Sequence, residues 1–339
     1  MTDGLTVAVV GATGAVGEEM RAVLGERRFP VRRLVPLASA RSAGGSVDWR
    51  GNDVRVELLD EDSFRGVDLA LFSAGTTVSE QFAAIAVKAG CVVVDNTRAF
   101  RMDKTVPLVV PEVNREALDD HKGIIANPNC STIQMVVPLA PLHRAAGIKR
   151  IVVCSYQAAS GAGRAAMDEL RDQTVALLNF REPRVEQFQR RLAFDVIPEI
   201  DVFMPEGDTR EERKMVDETR KIMGLPDLPV SATCVRVPVF VGHCLAVNVE
   251  FERPLDAADA RALLLEAEGI EMDVDPNAYA TTADVAGRDE TFVGRVRDDA
   301  SVAHGLNMWV AADNLRKGAA TNAVQIAEDL LTRQLMRVP

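Results

Sequence analysis

LTVAVVGATGAVGEEMRAVLGER, residues 5–27, is a short apolar run, a glycine loop and a helically spaced segment in direct succession. Gly11, Gly14 and Gly17 give the spacing G-x-x-G-x-x-G rather than the commoner G-x-G-x-x-G. Glycines at a strand-to-helix junction let the backbone turn sharply and approach a pyrophosphate. The N–H groups at the start of the following helix then hold its charge. Gly11, Thr13, Gly14, Ala15 and Val16 are the candidate phosphate contacts. A tight turn without a ligand uses glycines as well, but the position after the first strand favours a nucleotide.

Downstream, VRRLVPLAS, DLALFSA, CVVVDN and GIIAN read as further strands, with SEQFAAIAVKAG as a helix between the second and third of these. Strands separated by helix-length segments predict a parallel, doubly wound sheet. From about residue 130 the character changes. CSTIQMVVPLAPLHRAAG reads as a long apolar helix and IKRIVVCSYQAAS as a strand. SATCVRVPVF, HCLAVNVEFE and LNMWVAAD suggest an antiparallel sheet alternating with helices. The expected architecture is α/β: an N-terminal Rossmann domain over 1–130 and a mixed α+β domain over 131–313. An amphipathic C-terminal helix over 314–336 is expected to join the first domain.

A length of 339 residues accommodates two ordinary domains. The net charge of −11 argues against a nucleic-acid or anionic-membrane surface. No apolar run approaches the length of a membrane span, and no basic stretch precedes the first strand, so neither a membrane segment nor a signal peptide is expected. The five cysteines are odd in number and none forms C-x-x-C, which disfavours zinc and disulfides and fits a reducing cytoplasm. No metal is expected.

The end of the second strand bears on the cofactor. NAD sites place an acid there for the ribose 2′-hydroxyl. This chain has Ser39-Ala40-Arg41-Ser42 instead, and a guanidinium between two hydroxyls suits the 2′-phosphate of NADP. Tyr156 and Tyr279 both lack a lysine four residues on, which excludes the short-chain dehydrogenase pair, and no P-loop motif occurs. Cys130 lies in Asn127-Pro128-Asn129-Cys130-Ser131-Thr132, between the strand GIIAN and a helix, which makes a thiol mechanism attractive. A helix N-terminus favours the thiolate, which is the nucleophilic form.

Taken together, GATGAVG, SARSAG, DNTRAFRM, NPNCST, SYQAASGAG, REERKM, RVPVFVGHC and DNLRKGAA resemble bacterial aspartate-semialdehyde dehydrogenases over essentially the whole chain. One departure is Thr97-Arg98, where that family more often has two serines. The resemblance implies that Cys130 is acylated, that Gln157 positions the acyl carbonyl and that His243 is the general acid/base, an imidazole being suited to titrate near neutrality. It implies that Arg236 clamps the substrate carboxylate, that Glu211 takes the amino group, and that Arg101 and Lys214, supported by Asn129, take the phosphate. It places Ser73, Ser160, Gly161 and Asn314 with the loop residues and Ser39, Arg41 and Ser42 around the cofactor, and makes the second domain a dimerisation domain. Without it, Glu211 and Lys214 read as an ion pair on a solvated helix, whereas Arg236, in an otherwise apolar strand, needs a partner if buried, for which a bidentate carboxylate is more natural than an internal ion pair. His121, His143 and His304 lie in surface-like or helical stretches.

The reaction so implied is the NADP-dependent, reversible reductive dephosphorylation of L-aspartyl-4-phosphate through a thioester. The product feeds lysine, threonine, methionine and isoleucine synthesis, and the enzyme is expected to be a homodimer or homotetramer. N-acetyl-γ-glutamyl-phosphate reductase is the nearest rival, but its cysteine usually follows glycine, not Asn129. A silent nucleotide-binding paralogue would be expected to lack Cys130.

Overall fold

The computed structural model describes residues 4–275 and 277–338. It divides into two compact units, one made of the chain up to Asn129 together with the residues from Ala319 onward, the other of Cys130–Gly318.

In the first unit, β1 (Leu5–Val10) leads into α1 (Ala15–Glu26) and β2 (Val31–Ala38). Then follow β3 (Ser46–Trp49), β4 (Asn52–Arg55), β5 (Glu57–Leu58), β6 (Leu69–Phe72), α2 (Thr76–Lys88), β7 (Val92–Asp95), α3 (Pro111–Asn114) and β8 (Ile124–Ala126). The main sheet runs β5-β2-β1-β6-β7-β8 with every pairing parallel, a doubly wound arrangement. Its central strands are apolar at nearly every position because helices bury both faces. Val7, Val9, Leu69, Leu71, Val92 and Val94 pack against α1 and the C-terminal helix (Thr321–Thr332), while Ala8, Val10, Ala70, Phe72 and Val93 pack with Phe82, Ala83 and Ala86 of α2. The β3–β4 hairpin went unread in the sequence. It turns at Arg50 and Gly51, both with positive φ.

The second unit begins with α4 (Cys130–Ala146) and β9 (Ile148–Gln157), then α5 (Arg164–Leu178), α6 (Arg210–Met223), β10 (Val230–Arg236) and β11 (His243–Phe251). It closes with α7 (Ala257–Leu265), β12 (Ile270–Glu271), α8 (Thr282–Val285), β13 (Thr291–Asp298) and β14 (Gly305–Ala312). The sheet order is β10-β9-β11-β14-β13-β12. It is mixed, which corrects the antiparallel expectation: β10 lies parallel to β9, and β12 parallel to β13. A parallel pair needs a long crossover, and residues 158–229 supply it with α5 and α6. The strand read as SATCVRVPVF stops at Arg236, before Pro238, which has no N–H for a ladder. One face of the sheet, with Ile151, Val153, Leu245, Val247, Val249, Leu306, Met308 and Val310, forms the core with Met135, Leu139 and Leu142 of α4 and Leu264 of α7.

The helix expected over 314–336 is a π-type turn, Arg316–Ala320, followed by Thr321–Thr332. Its first turn is buried on all sides rather than amphipathic. No described helix is long and apolar enough to cross a membrane.

Candidate active site

Four strand ends meet at one edge of the mixed sheet. Arg236, the last residue of β10, is in register with Gln157, the last of β9. Cys244 of the antiparallel β11 pairs with Tyr156, and His243 pairs with Ala312, the last residue of β14. Parallel β9 and β10 end where antiparallel β11 begins, so residues distant in sequence share one rim.

Gln157, Arg236 and His243 are all buried. The Gln157 Nε2 donates to Ser155 Oγ (3.1 Å) and to Glu211 Oε1 (3.2 Å). Glu211 sits in the first turn of α6, set by a capping box between Thr209 and Glu212. Lys214, one turn on, donates to Glu211 Oε2 (3.0 Å) and Asp201 Oδ2 (2.9 Å). Burial works to lower the Lys214 pKa, but Glu211 and Asp201 outweigh it, so it stays a firmly charged ammonium. The pair read from the sequence as a solvated helix face is therefore a buried network reaching Gln157.

Arg236 Nη1 donates to the Ala158 carbonyl at 2.7 Å. Burial pushes its pKa down, and Glu211 and then Cys130 push it back. His243 has no exposed surface. Its Nδ1 accepts from the Ala158 N–H at 3.0 Å, which assigns the ring proton to Nε2, and Nε2 has no hydrogen-bond partner among the described residues. Burial, reinforced by the nearby Arg236 charge, lowers its pKa to about 3. This differs from the expectation of an imidazole titrating near neutrality: a dry site next to a guanidinium disfavours a second cation. Gly161 lies beside both groups. A Cβ there would fall 2.9 Å from Arg236 Nη1 and 3.2 Å from His243 Nε2.

Cys130 opens α4, as the sequence reading expects. Asn314 Oδ1 accepts from Ser160 Oγ (3.0 Å) and from the Gly242 N–H (2.9 Å), tying the loop after β9 to the residue before His243. Cys91, Cys234 and Cys244 are buried, with thiol pKa values raised by that burial, while Cys154 is half-buried.

The remaining candidates belong to the first unit. Gly11 has φ +87°, and a Cβ on Gly17 would fall 2.2 Å from Gly11 O, so the loop closes only with glycines. Gly14, the N-cap of α1, has no side chain to satisfy the helix start, which leaves Ala15 and Val16 opening a turn suited to an anion. Thr13 lies in the same loop. Ser73 Oγ donates to Val10 O at 3.1 Å, at the C-terminal end of β1. Ser39, Arg41 and Ser42 form the turn after β2, where Ser42 N–H donates to Ser39 O, and the Arg41 side chain is exposed. Arg101 is buried, its Nε donating to Asn127 O (2.9 Å) and its Nη2 to Asn96 O (2.8 Å), and Asn129 is buried too. The Thr97 hydroxyl donates to the buried Asp95 (2.8 Å), whereas Arg98 is exposed with its Nε 3.4 Å from Thr76 Oγ1.

Ser155 and Asp201 complete the second-unit network but carried no sequence signal, since each acts only through a partner far along the chain. His121 corrects the surface reading. It is buried because the C-terminal tail covers it, with Nε2 3.0 Å from Leu335 O. No metal-ligand cluster occurs among the described residues.

A Rossmann unit followed by a mixed-sheet unit with a cysteine at a helix start defines a dehydrogenase class. Residues 6–121 match the semialdehyde dehydrogenase NAD-binding domain and residues 139–317 the semialdehyde dehydrogenase dimerisation domain. The aspartate-semialdehyde dehydrogenase of Aquifex aeolicus is 52% identical, over 98% of this chain and 100% of that one. The crystal structure of aspartate semialdehyde dehydrogenase II from Vibrio cholerae, complexed with ASA, superposes with a TM-score of 0.94 at 51% identity, covering 98% of this chain and 99% of that one. The enzyme from Candida albicans, solved with NADP, gives 0.76 at 26% identity, covering 98% and 99%. The chain belongs to the aspartate-semialdehyde dehydrogenase family. That membership makes it an oxidoreductase of amino-acid biosynthesis.

Proposed function

We propose that this chain catalyses the NADP-dependent, reversible reductive dephosphorylation of L-aspartyl-4-phosphate to L-aspartate-4-semialdehyde through a thioester on Cys130. The observation that carries it is the rim holding Gln157, Arg236 and the orphaned Nε2 of His243. Arg236 offers a planar fork for the α-carboxylate and Glu211 a charge partner for the amino group. An N-acetylated substrate would have no cation to offer Glu211.

The Cys130 thiolate attacks the acyl phosphate carbonyl, the C–S bond forms and phosphate departs. Lys214, held charged by Glu211 and Asp201, is one cation available to that phosphate, and Arg101, anchored by two carbonyls, is the other. Gly11, Thr13, Gly14, Ala15 and Val16 with Ser39, Arg41, Ser42 and Ser73 would hold the dinucleotide, and Ser160, Gly161 and Asn314 its nicotinamide. The glycine cradle that any Cβ would fill fits a pyrophosphate, and the NADP bound by the Candida albicans relative supports the 2′-phosphate reading of Arg41. The chemistry a bound nicotinamide supplies is a hydride for the thioester carbonyl. His243 Nε2–H donates to the oxyanion so formed. A substrate carboxylate on Arg236 would offset that guanidinium's charge, the lesser of the two causes that keep His243 neutral, while burial, the larger, keeps the ring a neutral Nε2–H donor. Collapse of the thiohemiacetal returns the thiolate and frees the aldehyde.

The sheet face opposite the core carries half-buried Val152, Cys154, Tyr156, Ala246, Asn248, Asn307 and Trp309, a surface suited to a second copy. We assign a homodimer through it, with a tetramer as the larger alternative. The five free cysteines support a cytoplasmic location, and the product would serve lysine, threonine, methionine and isoleucine synthesis. The test follows NADPH absorbance with aspartate semialdehyde plus phosphate beside the N-acetylglutamate analogue. Turnover of the analogue alone would overturn the reading.

A further inference from the structure

The motif Asp313-Asn314-Leu315-Arg316-Lys317-Gly318 is only partly explained by a nicotinamide contact at Asn314. Gly318 does not have positive φ, so its backbone does not require glycine. Its surroundings do. A Cβ at 318 would lie 2.8 Å from Cys130 Cβ, 3.3 Å from Cys130 Cα and 3.6 Å from Asn314 Cβ. The nearest atoms are thus the β- and α-carbons of the candidate nucleophile, not a flexible side-chain end. In a close-packed interior such a contact must be relieved by moving one partner.

The rest of the segment is fixed from several directions. Asp313 Oδ1 accepts from the Leu315 N–H (2.8 Å) and Arg316 N–H (3.2 Å), and its Oδ2 from Gly287 N–H (2.8 Å). Gly318 N–H donates to Asp313 O (3.0 Å), the five-residue reach of a π-type turn. Arg316 Nε donates to Asp289 Oδ1 (2.8 Å). Just upstream, Ala312 pairs with His243, and Asn314 Oδ1 holds the Gly242 N–H. Six residues therefore touch the acid/base side at one end and the nucleophile at the other. A π-type turn widens the helix by one residue and often marks a functional site.

We infer that Gly318 is a positioning residue: its missing side chain sets where Cys130 stands relative to His243, and the Asp313–Asn314 bracket holds it there. The inference rests on the reading of Cys130 as nucleophile. Gly318→Ala should move Cys130 while leaving the substrate-binding Arg236 and Glu211 in place. We expect kcat to fall by about 30-fold or more with KM for aspartate semialdehyde within about threefold, because small displacements at a reacting centre are costly. The rate and pH midpoint of Cys130 labelling by iodoacetamide, located by mass spectrometry, should change in parallel. A merely structural glycine would lower the melting temperature without moving that labelling midpoint.

The contact is tested separately by stability. In a Cys130→Gly background, which removes the nearest atom, Gly318→Ala should cost much less thermal stability than in the native chain. This arm also serves if Gly318→Ala alone does not fold, since the double variant should then recover. Equal cost in both backgrounds, failure of both to fold, or native kcat and labelling in Gly318→Ala would each overturn the inference. Failure of the nucleophile reading looks different: Cys130→Ser would be fully active while the stability difference persisted.

Discussion

His243 is fully buried with its Nδ1 taken, so its pKa of about 3 lies below the unfolded value of about 6.5. Between these values the unfolded chain binds the extra proton, so stability is complete above about pH 6.5 and is lost as pH falls towards 3. At pH 5 the loss from this group is on the order of 2 kcal/mol. His121 and His143 are also lowered by burial and act in the same direction, so the informative quantity is a difference. His243→Asn, which can still accept from Ala158 N–H, should show a smaller drop in melting temperature from pH 7 to pH 5 than the native chain. An equal drop would mean that His243 is not held neutral. For Arg236, bound at one nitrogen by the Ala158 carbonyl, a lysine replacement keeps the charge but not the planar fork. Arg236→Lys should lower kcat/KM about 100-fold in steady-state assays while Cys130 labelling is unchanged. Native turnover would move the carboxylate clamp elsewhere.

At the level of elements, helix starts carry the chemistry. The α6 capping box joins Thr209 to Glu212, whose other oxygen accepts from the Cys234 N–H of β10 at 3.0 Å. Thr209→Ala should cost about 1 kcal/mol in chemical denaturation. Since Glu211 and Lys214 lie in that first turn, KM for aspartate semialdehyde should rise; an unchanged KM would detach the cap from the site. The α1 start depends on glycine differently. Gly17→Ala drives a Cβ to 2.2 Å from Gly11 O, so NADP binding measured by fluorescence titration should be lost along with about 1–3 kcal/mol of stability. Gly14→Ala, whose Cβ would meet the same oxygen at 3.4 Å, should leave the melting temperature close to native.

At the scale of the molecule, the proposed pairing of two copies depends on one sheet face. Ala246 lies in register between Cys154 and Trp309 at the middle of it. Ala246→Arg would bury a charge there, and sedimentation should find the native chain dimeric and the variant largely monomeric. A monomeric native chain would remove the assignment.

The doubly wound half was legible because its signals are local. A glycine loop between an apolar strand and a helix has one economical geometry, and buried parallel strands read as unbroken apolar runs. Cys130 at a helix start was readable for the same reason. Long-range pairing was not. Nothing in SATCVRVPVF distinguishes a parallel from an antiparallel neighbour, because alternation records burial and not direction; the crossover through α5 and α6 is what makes β10 parallel to β9. The Glu211–Lys214 pair looked like an exposed helix face because spacing shows which residues share a side, not what covers it. Burial decided that His243 stays neutral, since desolvation depends on everything packed around a group, whereas Lys214 stays charged against its burial because the fold brings Glu211 and Asp201 to it. Gly318 stood in a recognisable motif, yet its reason is a distance to Cys130, 188 positions away along the chain, that only the folded backbone defines.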